Sequence, residues 1–152
     1  MVKALLDIKV IDPSGKMMCK EVVLRGRIRL TQGDVREVQL AKAAIQAAVR
    51  ILRMKAGRAR IGRAFLAGRF GNNISAGNAR ALGIIPPDVK LGRVSVLKDG
   101  ALEGVRLILS SSRTREAALA LYGRVTHVEL HSHPGFQDLF MQAMKFKVGE
   151  AA

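Results

Sequence analysis

Residues 31–57 contain the longest periodic segment of this chain. Thr31 is typical of a helix N-cap, and Asp34 supplies the acidic side chain that a capping box requires three positions later. Gly57 is a typical residue at a helix C-terminus. The pattern predicts a helix over residues 32–56 that lies on a core. Its apolar stripe repeats at alternating steps of three and four residues, at Val38, Ala41, Ile45, Ala48 and Leu52.

Shorter apolar runs around this helix predict an α/β fold of strands alternating with helices. Residues 4–12 are ambiguous between a helix end and a strand, and residues 20–30 suggest two short strands around Gly26. We expect one domain over residues 1–152, with residues 1–30 irregular or in short strands. Further strands are predicted at 63–68, 93–97 and 125–130, helices at 75–82, 99–109, 113–122 and 134–146, and a long connection at 69–92.

Composition excludes several classes of protein. The chain has 152 residues, of which 49% are hydrophobic and 25% charged, so it is long and apolar enough to bury a core. It lacks a run of eighteen apolar residues, and we therefore expect no membrane span. Cys19 is the single cysteine, which excludes an internal disulfide and a cysteine-ligated iron–sulfur cluster within this chain. A cytoplasmic location is the default expectation.

The formal net charge of +14 is concentrated in the first half of the chain. Residues 1–76 carry 16 basic and 5 acidic side chains, and seven basic residues without an acidic neighbour lie between Arg50 and Arg69. Such a segment is either a solvated arginine-rich face or a surface that attracts nucleic acid, acidic protein or phosphate. The chain has six aromatic residues and no tryptophan, which disfavours a platform for stacking single-stranded bases.

Three segments together resemble one known family. They are TQGDVREVQLAKAAIQAAVRIL at 31–52, FLAGRFGNNISAGNARALGIIP at 65–86 and VELHSHPGFQDLFMQAMKF at 128–146. This combination resembles the C-terminal region of the ATP-dependent reductive activators of corrinoid proteins, which belong to the actin and sugar-kinase superfamily. The resemblance extends from about Ala4 to Phe146.

The resemblance implies a fold, a reaction and a partner. The fold would be part of an actin-like, ribonuclease-H-like ATPase lobe. In the family, a ferredoxin-like domain supplies an electron, and hydrolysis of ATP with Mg drives reduction of a cobalt(II) corrinoid to cobalt(I). The partner would be the corrinoid protein of a methyltransferase system. The family's nucleotide site would correspond here to Gly68, Phe70, Gly71, Asn72, Asp99 and Gly100.

Elementary geometry agrees with part of this assignment. A strand that ends at Ala67-Gly68 lets the backbone approach a ligand closely, because glycine has no Cβ atom. In open α/β sheets, ligands bind at the carboxyl ends of the strands. The segment after the next strand, Lys98-Asp99-Gly100, would lie at the same edge and open a helix whose N-terminus attracts phosphate.

The sequence also departs from the family pattern. Arg69 stands where the family usually has a small residue, and Lys98-Asp99 stands where it has a Gly-Asn pair. The chain starts after the family's Cys-Gly-Ser-Gly turn, so we expect the first lobe, the phosphate-binding hairpins and the iron–sulfur domain to lie outside it. Alone, the chain is then expected to bind nucleotide or dock a partner without turnover, with a missing lobe or a second copy as a partner.

Other interpretations stay open at the level of sequence. One alternative is a basic module that binds nucleic acid or an acidic partner and has no enzymatic activity; another is a relative that docks through an exposed strand edge. Gln39 and Lys42 belong either to the family motif or to the helix surface. His127, His131 and His133 flank Glu129, but a strand would separate their side chains, so we expect no metal site.

Overall fold

The structure is a computed structural model that describes residues 1–57 and 60–146. Arg58, one of the seven clustered basic residues, lies outside the described part. In chain order the elements are α1 (Val2–Asp7), β1 (Glu21–Arg25), β2 (Ile28–Thr31), α2 (Gln32–Lys55), β3 (Ala64–Ala67), α3 (Gly68–Asn73), α4 (Ala76–Ala81), a 3-10 turn (Leu91–Arg93), β4 (Val94–Leu97), α5 (Gly100–Ser110), α6 (Ser112–Tyr122) and α7 (Phe136–Ala143).

The predicted long helix and its capping box are confirmed in α2. The Thr31 hydroxyl oxygen accepts from the Asp34 backbone N–H at 3.4 Å, and the Asp34 carboxylate accepts from the Thr31 N–H at 2.8 Å. The Thr31 hydroxyl also donates to that carboxylate at 2.7 Å, and this bond is the main reason why the pKa of Asp34 lies below its usual range. Local sequence therefore fixes where α2 begins.

The buried face of α2 differs from the predicted stripe. Ala41, Ile45 and Leu52 are exposed, so the prediction that they lie on the core is wrong. The buried positions instead recur every four residues, and small or polar side chains hold three of them. Alanine is small and lets a neighbouring helix approach closely. A prediction from the pattern of apolar residues favours positions with larger side chains instead. The buried row consists of Val35, Gln39, Ala43, Ala47 and Ile51.

Two polar side chains of α2 fasten the end of α7. The Gln39 amide donates to the Ser14 carbonyl at 2.8 Å and to the Met144 carbonyl at 2.9 Å. The Lys42 ammonium donates to the Ala143 carbonyl and, at 2.8 Å, to the Lys145 carbonyl. Both residues are buried, so the interpretation of them as helix-surface residues is wrong. They satisfy carbonyls that a helix C-terminus leaves without an intrahelical partner.

Two small sheets flank α2. Strands β1 and β2 pair antiparallel, as the sequence predicts around Gly26, and β2 leads directly into α2. Strands β3 and β4 pair parallel, with Ala64 opposite Val94 and Ala67 opposite Leu97. One apolar cluster joins α1, β2, α2 and Phe146, and a second lies around Ala79 and Val89.

Other predicted elements are confirmed, shifted or wrong. Helices α4 and α7 and strands β3 and β4 occur within the predicted segments, and α5 and α6 each extend one residue beyond theirs. The connection predicted at 69–92 instead begins with α3, which the two glycines of its sequence concealed. Residues 125–130 form no strand, because no strand in the described part of the chain lies beside them to accept their hydrogen bonds. Across the described residues, no helix is long and apolar enough to cross a membrane.

Candidate functional site

The two parallel strands end side by side and each is followed by a helix. Strand β3 ends at Ala67 and α3 begins at Gly68, while β4 ends at Leu97 and α5 begins at Gly100. The carboxyl edge of this strand pair is therefore formed by two strand-to-helix turns. That is the edge at which open α/β sheets bind their ligands.

A cleft of about 290 Å³ lies at this edge. It contains four of the six residues predicted as site residues. Its volume is close to the lower limit for a small-molecule pocket, about 300 Å³. The lining residues are Gly68, Arg69, Asn72, Asn73, Asp99, Gly100, Ala101 and Leu102.

Gly68 has the backbone conformation that only glycine adopts without strain. Its φ is +79°, and a Cβ atom built there would meet no atom within 4 Å. The glycine is therefore required by the turn and not by crowding within the chain. Space above it is open to a ligand. Gly100 differs, because a Cβ there would lie 3.3 Å from Cβ of Leu97, so its small size serves the packing of α5 on β4.

Asn72 brings an unsatisfied polar atom to the cleft. Its Oδ1 atom is buried and has no hydrogen-bond partner among the described residues. Such an atom costs about 1–3 kcal/mol when it stays unpaired, which makes it a candidate acceptor for a donor that the described residues do not supply. The neighbouring Asn73 amide donates to the Arg69 carbonyl at 2.7 Å, which closes the turn of α3.

One cation and one anion face the same cleft without pairing. Arg69 and Asp99 both line it, yet no ion pair joins them within 4.0 Å in the described chain. Asp99 has φ +49°, and its side chain makes no capping bond to α5. The cleft therefore offers a guanidinium, a carboxylate and an unpaired amide oxygen, which suits a ligand that carries an anionic group and hydroxyl groups.

Phe70 and Gly71 lie elsewhere, so the cleft does not include all six predicted residues. Both line a separate apolar groove of about 410 Å³ between α2 and β3. A Cβ atom at Gly71 would come within 2.9 Å of the Leu66 carbonyl carbon, so this glycine allows α3 to pack on β3. Conversely, Arg69, Asn73, Ala101 and Leu102 line the cleft and were not predicted as site residues. Arg69 alone carried a signal, as a departure from the family pattern.

The histidine segment is exposed and lies apart from the cleft. The His131 Nδ1 atom is 2.7 Å from Glu129 Oε1, and the His127 Nε2 atom is 3.7 Å from Glu129 Oε2. No cluster of three or more His, Cys, Asp or Glu side chains suited to a metal occurs within residues 1–57 and 60–146.

Comparisons with a family model, a curated protein and a solved structure all find proteins of one kind. Residues 7–151 match the family described as the C-terminal domain of RACo, the ASKHA domain. The chain is 36% identical over 123 residues to the corrinoid activation enzyme RamQ of Eubacterium limosum, a match that covers 78% of this chain and 20% of that protein. The chain thus spans about a fifth of the length of this curated relative.

A solved structure has the same fold. The chain superposes with a TM-score of 0.82 on a protein titled reductive activator for corrinoid, iron-sulfur protein, at 24% sequence identity. The match covers 95% of this chain and 27% of the other. At this identity the likeness supports the fold, which is the actin-like α/β fold that the sequence predicts. The chain belongs to the family of C-terminal ASKHA domains of the RACo reductive activators.

Proposed function

We propose that this chain is the nucleotide-binding part of an ATP-dependent reductive activator of corrinoid proteins. One relative is named a corrinoid activation enzyme and another is titled a reductive activator for a corrinoid, iron-sulfur protein, and both are several times longer than this chain. In this proposal, ATP with Mg binds at the carboxyl edge of β3 and β4. The free energy of hydrolysis supports the transfer of one electron, from an iron–sulfur domain outside this chain, to the cobalt(II) corrinoid of a methyltransferase system. The product is cobalt(I).

The observation that carries the nucleotide proposal is the unpaired Oδ1 atom of Asn72 beside the open turn at Gly68. A nucleoside hydroxyl or amino group would donate to that oxygen. Arg69 would pair with a phosphate, and Asp99 would accept from ribose hydroxyls or approach the Mg ion. The N–H groups at the start of α5 add a favourable field for an anion. The residues present therefore fit an adenine nucleotide.

The small volume of the cleft supports a limited role for this chain by itself. A cleft of about 290 Å³ accommodates part of a nucleoside triphosphate. Hydrolysis requires groups around the β- and γ-phosphates, and we assign those to other parts of the whole activator. The isolated chain should then bind nucleotide without turnover.

Thermal unfolding with and without millimolar Mg-ATP or Mg-ADP tests nucleotide binding. A ligand at one hundred times its dissociation constant stabilises the native state by about 2.7 kcal/mol, which raises the melting temperature measurably. We expect a rise that persists at moderate salt. A rise that any polyanion reproduces and that salt removes would favour the basic nucleic-acid or acidic-partner module instead.

Two variants locate the effect. Asn72→Ala removes the unpaired oxygen and should weaken nucleotide affinity about tenfold, as expected when one hydrogen bond in a binding site is lost. Asn78→Ala is the matched control, because Asn78 is an exposed asparagine on α4 whose side chain makes no hydrogen bond with the described residues. If both variants retain the full thermal shift, the nucleotide site is not at this cleft.

A further inference from the structure

Asp99 holds a carboxylate in a backbone conformation that few residues adopt. Its φ is +49°, and Lys9 is the only other non-glycine residue with a positive φ in the described part of the chain. Aspartate tolerates this left-handed region better than most residues do, although glycine adopts it at lower cost. The residue lies between the end of β4 and the start of α5. The chain thus places a carboxylate at a turn whose backbone favours glycine.

The Asp99 carboxylate is available to a ligand. Asp99 is exposed and lines the cleft beside Gly68 and Asn72. Its side chain makes no capping bond to α5 and no other hydrogen bond or ion pair with a described residue. An ionised carboxylate only accepts hydrogen bonds, and its two oxygen atoms lie side by side. It therefore suits a ligand that offers two neighbouring hydrogen-bond donors.

Charge decides which part of a nucleotide lies beside Asp99. Phosphate groups are anions, and a carboxylate repels them at short range. Arg69 lines the same cleft and supplies the planar cation that binds phosphate well. We therefore expect the phosphate groups near Arg69 and a neutral part of the nucleotide near Asp99.

A Mg ion explains this carboxylate less well than a sugar does. Among the residues that line the cleft, Asp99 is the only carboxylate, and the Arg69 guanidinium lies in the same cleft. A guanidinium repels a divalent cation nearby. The two adjacent hydroxyl groups of a ribose are neutral, and both can donate a hydrogen bond to one carboxylate.

We infer that the Asp99 carboxylate accepts hydrogen bonds from the 2′- and 3′-hydroxyl groups of the nucleotide's ribose, and that the cleft thereby selects ribonucleotides over 2′-deoxyribonucleotides. This inference rests on the proposed function for the presence of a nucleotide. A site built to bind a hydroxyl group discriminates against a ligand that lacks it, because the acceptor then loses a partner. The cleft volume of about 290 Å³ agrees with a site for part of a nucleotide.

Thermal unfolding of the chain, titrated with Mg-ATP and with Mg-2′-dATP, tests the inference through the apparent dissociation constants. We expect the wild type to bind ATP about fivefold more tightly, because 2′-dATP lacks one donor to a charged acceptor. Asp99→Asn keeps the shape of the side chain and suits the left-handed backbone, but a donor replaces one of its two acceptor oxygens. This variant should bind ATP about as weakly as the wild type binds 2′-dATP, with less than about twofold preference between the two.

Asp138→Asn is the matched control. Asp138 is an exposed aspartate in the first turn of α7 and does not line the cleft, so the variant makes the same change in net charge near another helix N-terminus. It should bind both nucleotides as the wild type does. The comparison of the two nucleotides on the wild type does not depend on the folding of any variant.

Four results would contradict the inference, each in a different way. Equal affinities of the wild type for ATP and 2′-dATP would overturn it and leave the proposed function standing. A preference for ATP that persists in Asp99→Asn would overturn the role of this carboxylate. If Asp99→Asn weakened the binding of both nucleotides equally, and only when Mg was present, the carboxylate would hold the metal instead. If no adenine nucleotide changed the melting temperature, the nucleotide part of the proposed function would fall, and this inference with it.

Discussion

Two regions of this protein are held together to different degrees. In the packed region, formed by α1, β1, β2, α2 and α7, buried apolar side chains and buried hydrogen bonds join elements from both ends of the chain. In the open region, formed by β3, α3, β4, α5 and α6, the last two helices bury no residue at all. The candidate cleft belongs to the open region. The difference indicates that the packed region supplies stability, and the open region contains the edge at which we propose that a ligand binds.

In the open region, strands β3 and β4 pack on the second apolar cluster through Ala64, Leu66 and Val94, whereas α5 and α6 depend on local features. Strands β3 and β4 have four residues each, and α6 is capped by the Ser111 hydroxyl, which accepts from the Thr114 N–H at 3.3 Å. On α5, Glu103 and Arg106 form an exposed ion pair that lowers the pKa of Glu103. Exposed pairs of this kind contribute little to stability. Leucines on α5 and α6 remain exposed, so these two helices leave apolar surface that the described residues do not cover.

The largest expected effect contrasts one apolar truncation in each region. Ile51 is fully buried on α2, and Ile51→Ala should reduce the free energy of unfolding by about 3 kcal/mol through lost burial and a cavity. Leu102 is 71% exposed on α5, and Leu102→Ala should change the free energy of unfolding by less than about 0.5 kcal/mol. Urea unfolding measures both. Equal losses would mean that α5 is as firmly packed as α2, and the contrast between the regions would be lost.

An intermediate effect is expected at the buried clamp on α7. Lys42→Ala removes the donor to the Ala143 and Lys145 carbonyls and should cost about 2 kcal/mol, because those oxygens lose a buried partner. The loss should appear as reduced amide protection in α7 and unchanged protection in α5. Lys55→Ala, at an exposed lysine of the same helix, is the control and should be nearly neutral. If Lys42→Ala left the free energy of unfolding unchanged, the hydrogen bonds from Lys42 would not stabilise the end of α7.

The smallest expected effect concerns the free energy of unfolding at acidic pH. The hydrogen bonds from Thr31 lower the pKa of Asp34 in the folded protein. These bonds therefore contribute fully to the free energy of unfolding at a pH above the pKa that Asp34 has in the unfolded chain. The contribution is lost as the pH falls through the lower pKa of the folded protein. Asp34→Asn should therefore flatten the loss of stability below the ordinary aspartate range. Urea midpoints across acidic pH measure it, with Asp138→Asn on α7 for comparison. Identical profiles for wild type and Asp34→Asn would rule out this contribution.

Local signals in the sequence predict a large part of the fold. The Thr31–Asp34 capping box and the turn at Gly26 each act within a few residues, and the elements near them occur where expected. The buried face of α2 depends on a distant helix. Gln39 and Lys42 look like surface residues until the α7 carbonyls are placed beside them. The prediction of a strand at 125–130 is wrong for a related reason. Alternation of apolar and polar residues is a local pattern, and a strand also needs a neighbouring strand to pair with.

The candidate site divides in the same way. Four of the predicted residues follow strand ends, and the parallel pairing of β3 with β4 brings them together. They are Gly68, Asn72, Asp99 and Gly100. Gly71 belongs to the same motif but is fixed by contact with Leu66, which sequence does not reveal. Phe70 points into the apolar groove instead. A motif of six residues thus separates into four cleft residues and two residues at the apolar groove once the backbone path is known.

Hydrogen exchange with and without Mg-ATP tests the central claim most directly, because it reports where a ligand orders the chain. The account predicts increased amide protection over residues 68–73 and 98–102, at the two strand-to-helix turns, with the β1–β2 hairpin unchanged. Asn72→Ala should reduce that increase at a Mg-ATP concentration close to the dissociation constant of the wild type. Protection that rises elsewhere, or in no segment while the wild type stays folded, would contradict a nucleotide site at the carboxyl edge of β3 and β4.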